Sequence, residues 1–458
     1  MSADISLSHL FLSPDPARLP GFHACVGVGG ARQEAAWYAD HGIDYLTGRT
    51  VTGVDLGARV LTLAGGSGDG SGGGSEAPQT LSFDRLVAAT GARPVNLAAD
   101  FRTPGADLAG IHYLRNVADA DALVAALAAL KEGQASGGAS GEGEGVVVVG
   151  GGYIGAEAAA ALVAWAPGPI TAVFPESRLM ERILSPAASS FYEAFYEARG
   201  VRLVKGKTAA SFQAREGGGS AAAAAAAALG AVTLSDGASL PAALCIVGVG
   251  ARPVVDVLAA AGAATLAGPP GGLAVDAALQ STSHPGLLWG VGDVAAFPSA
   301  CCVGSSEAAA GGAASPALTR LEHVNHARSS AAHVARALFG GAGASGVYLH
   351  TPYFYSRVFS LAWVAYGSVG PGPGMVAIDF GGATAEAGAA AAAAADGGPA
   401  AVFGTWWVRG GTVVGGFLEG GSPEDGAALK AAVETQPPAP ADLADQGLAF
   451  ARAVAARL

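Results

Sequence analysis

The sequence predicts an α/β fold with two Rossmann-like dinucleotide-binding domains, one inserted into the other, and a C-terminal α+β domain. Three observations support this prediction: a glycine-rich strand–turn–helix unit over residues 146–176, an Ala-Arg-Pro sequence after each of two apolar strands, and alternating aromatic and aliphatic residues from Thr351 onward. The predicted domains are a first nucleotide-binding part at 1–115, an inserted nucleotide-binding domain at 116–255, a second part of the first domain at 256–345, and the C-terminal domain at 346–458.

The glycine-rich unit carries the sharpest chemical signal. Residues 146–149 are four valines, which predict a short strand that is buried on both faces. Gly150, Gly152 and Gly155 follow at G-x-G-x-x-G spacing, which suits a tight turn, a close backbone approach to a pyrophosphate, and a closely packed helix, respectively. The alanine-rich residues 156–165 predict that helix, whose first N–H groups would face the phosphates.

A second strand and an acidic residue complete this unit. Residues 170–174 are apolar and lead to Glu176, about 20 residues past the last glycine, where a carboxylate can bind a ribose 2′-hydroxyl. The glycine spacing alone is weak evidence. Strand, helix, second strand and acid in this order predict a dinucleotide site.

Composition argues against several classes of protein. The 458-residue chain has a formal net charge of −12, which disfavours binding to nucleic acid or to acidic membrane surfaces. It contains no run of 18 or more strongly apolar residues, and its N-terminus lacks the basic and apolar regions of a secretory signal. The four cysteines show no zinc-binding spacing, and adjacent Cys301 and Cys302 would strain a disulfide, so we expect reduced thiols and no metal.

The first residues are expected to mix short strands with one helix. Residues 31–41 predict the helix, residues 43–46 and 60–63 predict strands, and the Gly/Ser-rich residues 65–75 predict an enlarged hairpin loop. Residues 25–32 partly match a second phosphate-binding loop motif, but an arginine occupies the position of the third glycine. We therefore interpret that segment as an ordinary loop.

The Ala-Arg-Pro sequence occurs twice. An apolar strand over 81–89 leads into the first copy, and residues 244–253 repeat the pattern of apolar strand, glycine and Ala-Arg-Pro. The repetition predicts two related nucleotide-binding domains. Between the copies, the sequence predicts two helices and a strand, at 114–131, 186–199 and 201–205. Residues 217–230 contain eight successive alanines without an apolar stripe, which predicts an inserted loop.

Two further segments bear on a binding site. Residues 287–295 are an apolar strand that runs into Gly292 and Asp293. An aspartate there can bind a ribityl hydroxyl, although capping of a following helix is a common structural explanation. Residues 320–328 predict a charged helix with histidines, which in such positions are more often surface or capping residues than catalysts.

The C-terminal residues predict an antiparallel sheet followed by a helix. Residues 409–411, Arg-Gly-Gly, predict the turn between its last two strands. The alanine tract at 389–395 predicts a loop insertion. Ser422 is the predicted cap and Pro423 lies in the first turn of a helix that continues over 427–434.

Several motifs together resemble the monodehydroascorbate reductase family of flavin- and pyridine-nucleotide-dependent reductases. The resemblance runs from Ala17 to the C-terminus, and its motifs lie at 18–27 (R-L-P-G-F-H-A-C-V-G), 146–155 (V-V-V-V-G-G-G-Y-I-G), 322–328 (E-H-V-N-H-A-R), 352–357 (P-Y-F-Y-S-R) and 417–424 (F-L-E-G-G-S-P-E). It implies FAD and NADH as cofactors, hydride transfer from NADH, and return of single electrons to two ascorbate radicals.

The resemblance also implies site residues by position. For NAD they are Gly150, Gly151, Gly152, Tyr153, Ile154, Gly155, Ala156, Glu176, Arg182, Gly250, Glu322 and His323. For FAD they are Ala89, Arg115, Asn116, Asp293, Val324 and Tyr355. Arg328 and Arg357 would hold the ascorbyl anion, because two guanidinium groups suit a small delocalised anion. Without the resemblance, an ordinary surface ion pair would better explain either arginine. No catalytic side chain and no metal is implied.

The chain departs from the family pattern in three places. Asn116 and Asn325 stand where the family usually has acidic residues, and the first change weakens the implied contact with FAD. The family's own glycine loop for FAD would fall before Met1, so the first nucleotide-binding domain is expected to be N-terminally incomplete. We expect an incomplete sequence rather than a protein without flavin, because Asp293 and the tyrosine motif are kept.

Two alternatives stay open from the sequence. One is an NADH-dependent reductase of a small iron–sulfur electron carrier, which would share everything except the site of Tyr355 and Arg357. The other is a non-catalytic NAD-binding remnant. We expect NADH to be preferred to NADPH because Glu176 repels a 2′-phosphate, although Arg178 and Arg182 soften this repulsion.

Partners and location are expected as follows. The substrate is a small molecule, with no nucleic-acid or membrane partner, and the protein is a monomer or weak homo-oligomer. The expected location is the cytoplasm, with the peroxisome or a plastid as alternatives, because the C-terminal Ala-Arg-Leu resembles the peroxisomal S-K-L signal.

Overall fold

The computed structural model describes residues 33–65, 78–135, 145–215, 228–303, 317–340, 346–394 and 402–458. The predictions for residues 25–32 and for most of 65–75 and 217–230 lie outside these ranges. Within them, a parallel sheet with helices, several small sheets and a C-terminal antiparallel sheet confirm the predicted α/β class. The residue limits of the domains stay a prediction.

The first described part contains short elements only. They are α1 (Ala35–Asp40), β1 (Thr50–Asp55), β2 (Val60–Ala64), β3 (Gln79–Ser82), β4 (Leu86–Ala88), β5 (Ala92–Pro94) and α2 (Leu97–Phe101). β1, β2 and β3 form an antiparallel sheet. The strand predicted at 60–63 is confirmed, whereas that predicted at 81–89 is divided into β3 and β4. The strand predicted at 43–46 is wrong, because Tyr45 stacks on Tyr38 of α1 instead of joining a sheet.

The next elements build the seven-stranded sheet that surrounds the glycine-rich unit. They are β6 (Ile111–Tyr113), α3 (Val117–Ala135), β7 (Gly145–Val149), α4 (Tyr153–Trp165), β8 (Ile170–Phe174), α5 (Pro186–Ala198), β9 (Val201–Lys205), β10 (Ala209–Ala214), β11 (Leu229–Leu234) and β12 (Ser239–Val247). Strands β9, β8, β7 and β12 are parallel neighbours in that order, and β10 and β11 extend the sheet antiparallel. The predicted strand–turn–helix–strand unit is confirmed, and the four valines of β7 are fully buried.

The chain enters and leaves the part that contains this sheet through two short strands, β5 and a second strand after β12. These two connecting strands pair with each other. The second Ala-Arg-Pro copy forms β13 (Ala251–Pro253), which runs antiparallel to β5, so that Arg252 lies opposite Arg93. Both arginines lie near the buried carboxylate of Asp100, with nitrogen–oxygen distances of 2.7 Å for Arg93 and 3.5 Å for Arg252. The hydrogen bond from Arg93 holds the pKa of Asp100 well below its usual range. The two Ala-Arg-Pro copies therefore hold the two connecting strands together, through backbone pairing and through Asp100.

Residues 256–339 follow, and one of their strands pairs with a strand of the first described part. Their elements are α6 (Asp256–Ala260), β14 (Thr265–Leu266), β15 (Gly272–Ala274), β16 (Leu288–Gly290), β17 (Ala295–Pro298), β18 (Leu318–Thr319) and α7 (Val324–Phe339). β16 pairs parallel with β4. Asp293 lies in a single 3-10 turn that leads into β17, so no α-helix follows it directly. The helix predicted from residue 320 begins only at Val324, because His323 acts as its cap.

The C-terminal residues form a five-stranded antiparallel sheet with helices. The elements are β19 (Tyr353–Val358), β20 (Leu361–Gly367), β21 (Met375–Phe380), α8 (Ala385–Ala393), β22 (Phe403–Arg409), β23 (Thr412–Glu419), α9 (Pro423–Thr435), α10 (Leu443–Gln446) and α11 (Leu448–Ala455), with strand order β19-β20-β23-β22-β21. The predicted turn is confirmed, with φ values of +56° and +78° at Gly410 and Gly411. So is the predicted start of α9, where Ser422 and Asp425 form a capping box.

The loop predicted at 389–395 is wrong over its described residues. This alanine tract continues α8, which packs against α5. The approach is close, since a Cβ at Gly388 would lie 2.1 Å from the carbonyl oxygen of Phe191. Alanine favours helix, and its small side chain permits this crossing without an apolar stripe.

No helix in the described ranges is long and apolar enough to cross a membrane. In the same ranges, no group of three or more His, Cys, Asp or Glu residues could hold a metal ion.

Candidate active site

The C-terminal sheet separates two environments, because residues along a strand alternate between faces. On one face, a cavity of about 710 Å³ lies between β19, β20, the start of α7 and the start of α9. Residues that line it include His323, which caps α7, Val324 and Arg328 from α7, Tyr355 and Arg357 from β19, and Lys430 from α9. The other face of the sheet packs against α4 and α5, which belong to the glycine-rich unit. The sheet therefore joins the cavity to the predicted dinucleotide site.

The charged side chains that line the cavity are cations. Arg328, Arg357 and Lys430 line it, and none of the described residues that line it is acidic. The whole chain carries a formal net charge of −12, so this is a local reversal of the overall charge. The two arginines predicted to bind substrate thus lie in one cavity, together with Tyr355.

His323 forms an uncharged part of the cavity wall. Its ring Nδ1 accepts a hydrogen bond from the backbone N–H of Asn325 at 3.1 Å. Its ring also makes edge contacts with Tyr353 and Tyr355, with centroid distances of 5.3 and 5.6 Å. Burial lowers the pKa of His323 to about 4, so the imidazole is neutral at pH 7. The capping role is the one that the sequence favours for histidines in this segment.

Residues predicted for the two cofactors meet beside the cavity. The guanidinium of Arg115 donates to the Asp293 carboxylate at 2.9 Å. Arg320, which the sequence analysis did not single out, donates to the Asp293 carbonyl oxygen at 3.0 Å and lies 2.5 Å from the Glu322 carboxylate. Arg320 therefore joins Glu322 of the NAD set to Asp293 of the FAD set.

Tyr153 extends this network to the glycine loop. Burial raises its pKa to about 12, and the nearby carboxylates of Glu322, Glu157 and Asp293 add to the rise. Its hydroxyl therefore stays protonated at neutral pH and can donate a hydrogen bond. The first turn of α4 lies close to residues predicted for both cofactors.

The glycine loop has the shape of a phosphate cradle. A Cβ at Gly150 would lie 2.3 Å from the Gly248 carbonyl oxygen, and one at Gly155 would lie 2.0 Å from the Gly150 carbonyl oxygen. Gly150 also has a φ of +128°, which disfavours other residues. A Cβ at Gly152, in contrast, would meet nothing within 4 Å. Gly150 and Gly155 thus serve packing, while Gly152 leaves open space at the N-terminus of α4, which fits a pyrophosphate.

Glu176 and Arg182 lie together beyond the end of β8. An Arg182 nitrogen is 3.5 Å from a Glu176 carboxylate oxygen, and the Arg182 side chain is 89 % exposed. Arg182 lines a second cavity, of about 330 Å³, and not the cavity of Arg328 and Arg357.

The remaining predicted residues have mixed surroundings. The side chain of Asn116 accepts from the backbone N–H of Asp119, so it caps α3. Ala156 is buried, whereas Ala89 and Gly250 are exposed near the paired connecting strands. Gly151 packs on Phe174 and Ile154 is 38 % exposed.

Sequence reasoning missed two buried carboxylic acids behind the sheet. Glu157 of α4 accepts a hydrogen bond from Ser356 at 2.5 Å, and Glu419 of β23 accepts one from Tyr192 of α5. Burial raises the pKa of each acid to about 7. Glu157 is the one acid in an alanine-rich helix, which is the signal that could have marked it.

Comparison with known proteins agrees with this geometry. Residues 16–331 match the family model described as pyridine nucleotide-disulphide oxidoreductase, and residues 351–451 match the model of the monodehydroascorbate reductase 3-like C-terminal domain. The monodehydroascorbate reductase of Solanum lycopersicum is 36 % identical over 97 % of this chain and 88 % of its own length. The chain belongs to the monodehydroascorbate reductase family.

Other matches are consistent with membership of the monodehydroascorbate reductase family. Peroxisomal monodehydroascorbate reductase 1 of Oryza sativa subsp. japonica is 37 % identical over 97 % of this chain and 80 % of its own length. The crystal structure of a ferredoxin reductase from Rhodopseudomonas palustris has a TM-score of 0.63, with 24 % identity over 84 % of this chain and 76 % of that chain. That likeness shows the fold alone. At the level of the monodehydroascorbate reductase family, the predicted oxidoreductase class and its cofactors, FAD and NADH, are confirmed.

Proposed function

We propose that this protein is an FAD-containing reductase that transfers electrons from NADH to the monodehydroascorbate radical. The observation that carries the proposal is the cavity shared by Arg328, Arg357 and Tyr355, in which every charged lining residue is a cation. The monodehydroascorbate radical is a small anion whose charge is spread over several oxygens. Guanidinium groups hold such an anion through paired, charge-assisted hydrogen bonds.

The glycine loop and its surroundings provide the NADH side. In this proposal the N–H groups at the start of α4 bind the pyrophosphate, and Gly152 allows the close approach because it has no side chain. Glu176 accepts from a ribose 2′-hydroxyl, and its carboxylate disfavours the 2′-phosphate of NADPH. The full proposed set is Gly150, Gly151, Gly152, Tyr153, Ile154, Gly155, Ala156, Glu176, Arg182, Gly250, Glu322 and His323.

The flavin side is proposed around Asp293. Arg115 engages the Oδ2 atom of Asp293, so Oδ1 is the atom that would accept a ribityl hydroxyl. The other proposed residues are Ala89, Asn116, Val324 and Tyr355. FAD, when bound, supplies chemistry that no side chain here has, because it accepts electrons in pairs and releases them singly. The Asp293 carboxylate is thus an acceptor that fits a ribityl hydroxyl of this cofactor.

The side chains bind and orient rather than react. Because His323 is neutral at pH 7, the arginines and Lys430 set the charge of the cavity. Arg328 and Arg357 hold the radical in place, and Tyr355 beside them provides an aromatic wall.

The direct test is NADH oxidation by the purified protein while ascorbate radical is generated enzymatically. We expect a flavin absorbance spectrum and NADH oxidation that stops when radical generation stops. Colourless protein that still binds NADH would contradict the proposal and leave an NAD-binding remnant. Reduction of a small iron–sulfur carrier without activity toward the radical would select the carrier reductase instead.

The location and assembly of the protein are also proposals. We infer a cytoplasmic monomer or weak homo-oligomer, with the peroxisome or a plastid as alternative locations. The Oryza sativa relative is named peroxisomal, and residues 456–458, Ala-Arg-Leu, resemble the peroxisomal S-K-L signal. Microscopy of a fusion at the N-terminus, with and without residues 456–458, distinguishes these locations.

A further inference from the structure

A third cation lines the substrate cavity from a different element than the two arginines. Lys430 lies on α9, which packs over β20 and β23. Arg357 lies on the edge strand β19, and Arg328 lies on α7, whose cap His323 contacts the tyrosines of β19. The cavity thus spans the sheet face from β19 to α9, and β19, α7 and α9 each contribute one cation to it.

The surroundings of Lys430 leave its ammonium group able to meet an anion. Its Nζ atom is 3.6 Å from the Glu434 carboxylate, beyond hydrogen-bond length, and both side chains are about half exposed. Such an i,i+4 pair is weak in water. The same carboxylate oxygen of Glu434 also accepts a hydrogen bond from the Thr351 hydroxyl at the shorter distance of 2.7 Å. The turn of Gly420, Gly421 and Ser422 beside Lys430 contributes no side-chain charge to the cavity.

We propose that Lys430 is an anion-selecting residue of this cavity, which favours negatively charged electron acceptors over neutral ones. The proposal rests on the proposed function and deepens it. A half-exposed ammonium on a flexible stem attracts an anion from solution more readily than it fixes its geometry. Lys430 therefore raises the rate at which the radical reaches Arg328 and Arg357 against the field of an acidic protein.

The experiment compares two variants, Lys430→Gln and Lys430→Glu, with a matched control, Lys207→Glu. Lys207 follows β9 of the seven-stranded sheet, does not line the cavity, and forms an ion pair with Asp236. Its reversal changes the net charge by the same two units as Lys430→Glu. The acceptors are the ascorbate radical and the neutral 1,4-benzoquinone. At low salt, kcat/KM for the radical should fall about 3-fold for Lys430→Gln and about 10-fold for Lys430→Glu, with no change for the quinone. The differences should shrink at about 0.5 M salt.

Several results would overturn the inference. Equal losses for radical and quinone would mean that Lys430 acts structurally, and an equal effect of Lys207→Glu would mean that only net charge matters. Calorimetric titration with ascorbate measures binding without turnover. An unchanged Kd for ascorbate together with an unchanged kcat/KM for the radical in Lys430→Glu also refutes the proposal.

If the wild-type protein reduces quinone but not the radical, the proposed function fails separately. Ferricyanide, an anionic acceptor, then tests Lys430 by itself.

Discussion

Ser356 donates a buried hydrogen bond of 2.5 Å to Glu157, although 199 residues separate them in the sequence. Ser356 lies between Tyr355 and Arg357 on β19, whereas Glu157 lies in the helix that starts at the glycine loop. The strand that carries a proposed substrate arginine is therefore hydrogen-bonded, on its opposite face, to the helix of the proposed NADH site. The bond from Tyr192 to Glu419 crosses the same interface.

Removing the serine hydroxyl should weaken both stability and substrate binding. Ser356→Ala leaves a buried carboxyl group without this donor, which we expect to cost about 1–3 kcal/mol in the free energy of unfolding. The KM for the radical should rise more than the KM for NADH, because β19 carries Arg357. Denaturant unfolding and steady-state kinetics measure the two effects. Ser190→Ala is the control, since its hydroxyl bonds to the Pro186 carbonyl within α5, and an equal loss there would contradict the assignment.

Glu157 should make the stability depend on pH in a defined window. Burial raises its pKa to about 7 in the folded protein, whereas the ordinary value is 4.5. Between these values the folded state holds a proton that the unfolded state has released, so the wild-type protein loses stability as pH rises. Glu157→Gln cannot titrate, and the stability of the wild type relative to it should fall by about 1.4 kcal/mol per pH unit. Unfolding curves from pH 4.5 to 7 measure this, with the exposed Glu197→Gln as control. Parallel pH curves for wild type and Glu157→Gln would disprove the assignment.

Gly152 and Gly155 of the glycine loop should respond differently to alanine. Gly155→Ala places a Cβ 2.0 Å from a backbone oxygen, so we expect a loss of about 3 kcal/mol in the free energy of unfolding. Gly152→Ala meets no protein atom within 4 Å and should fold normally. Its NADH Kd should nevertheless rise about 10-fold or more, because the methyl group occupies the proposed pyrophosphate space. Thermal unfolding and NADH titration distinguish the two; normal NADH binding by Gly152→Ala argues against the site.

The acidic residue after β8 should set the nucleotide preference. Glu176→Gln removes the charge that repels a 2′-phosphate and frees Arg182, which lies 3.5 Å from it, to bind that phosphate. We expect the ratio of kcat/KM for NADH to that for NADPH to fall about 10-fold. Arg182→Ala in the same background should restore part of the preference. An unchanged ratio places the ribose elsewhere.

Arg357 should affect the radical and not the nucleotide. Arg357→Ala removes charge-assisted hydrogen bonds to the anion, which corresponds to a rise in the radical's KM of about 10- to 100-fold. The KM for NADH should stay within about 2-fold, because Arg357 lies in the cavity and the proposed glycine loop lies across the sheet from it. Arg202→Ala, on the exposed face of β9, is the control for loss of one positive charge. Equal changes in both KM values would refute the substrate role.

Local signals made much of the fold predictable. The valines of β7, the glycine spacing, the Gly410–Gly411 turn and the Ser422 cap each depend on neighbours within a few residues, and the structure has them as the sequence predicts. The alanine tract of α8 was wrongly predicted as a loop. Its helix packs against Phe191 of α5, which is distant in sequence, so local signals do not reveal it.

Only those site residues that lie in sequence motifs could be predicted. Arg328 and Arg357 were found through a resemblance, and their shared cavity depends on the packing of α7 against β19, which no spacing in the sequence reveals. Arg320, Glu157 and Lys430 were missed for the same reason, since each acts on residues from a distant part of the chain or from another element.

The pairing of the two Ala-Arg-Pro strands has an architectural consequence. Pro94 and Ala251 are partners in one ladder, so the chain leaves for the glycine-rich unit and returns from it at almost the same point. A module with adjacent ends can be added to a host, or cut out of it, without pulling the host's core apart. In this chain the excised unit would take α4 and α5 with it, so joining residue 94 to residue 251 would also expose the face of the C-terminal sheet that packs on these helices.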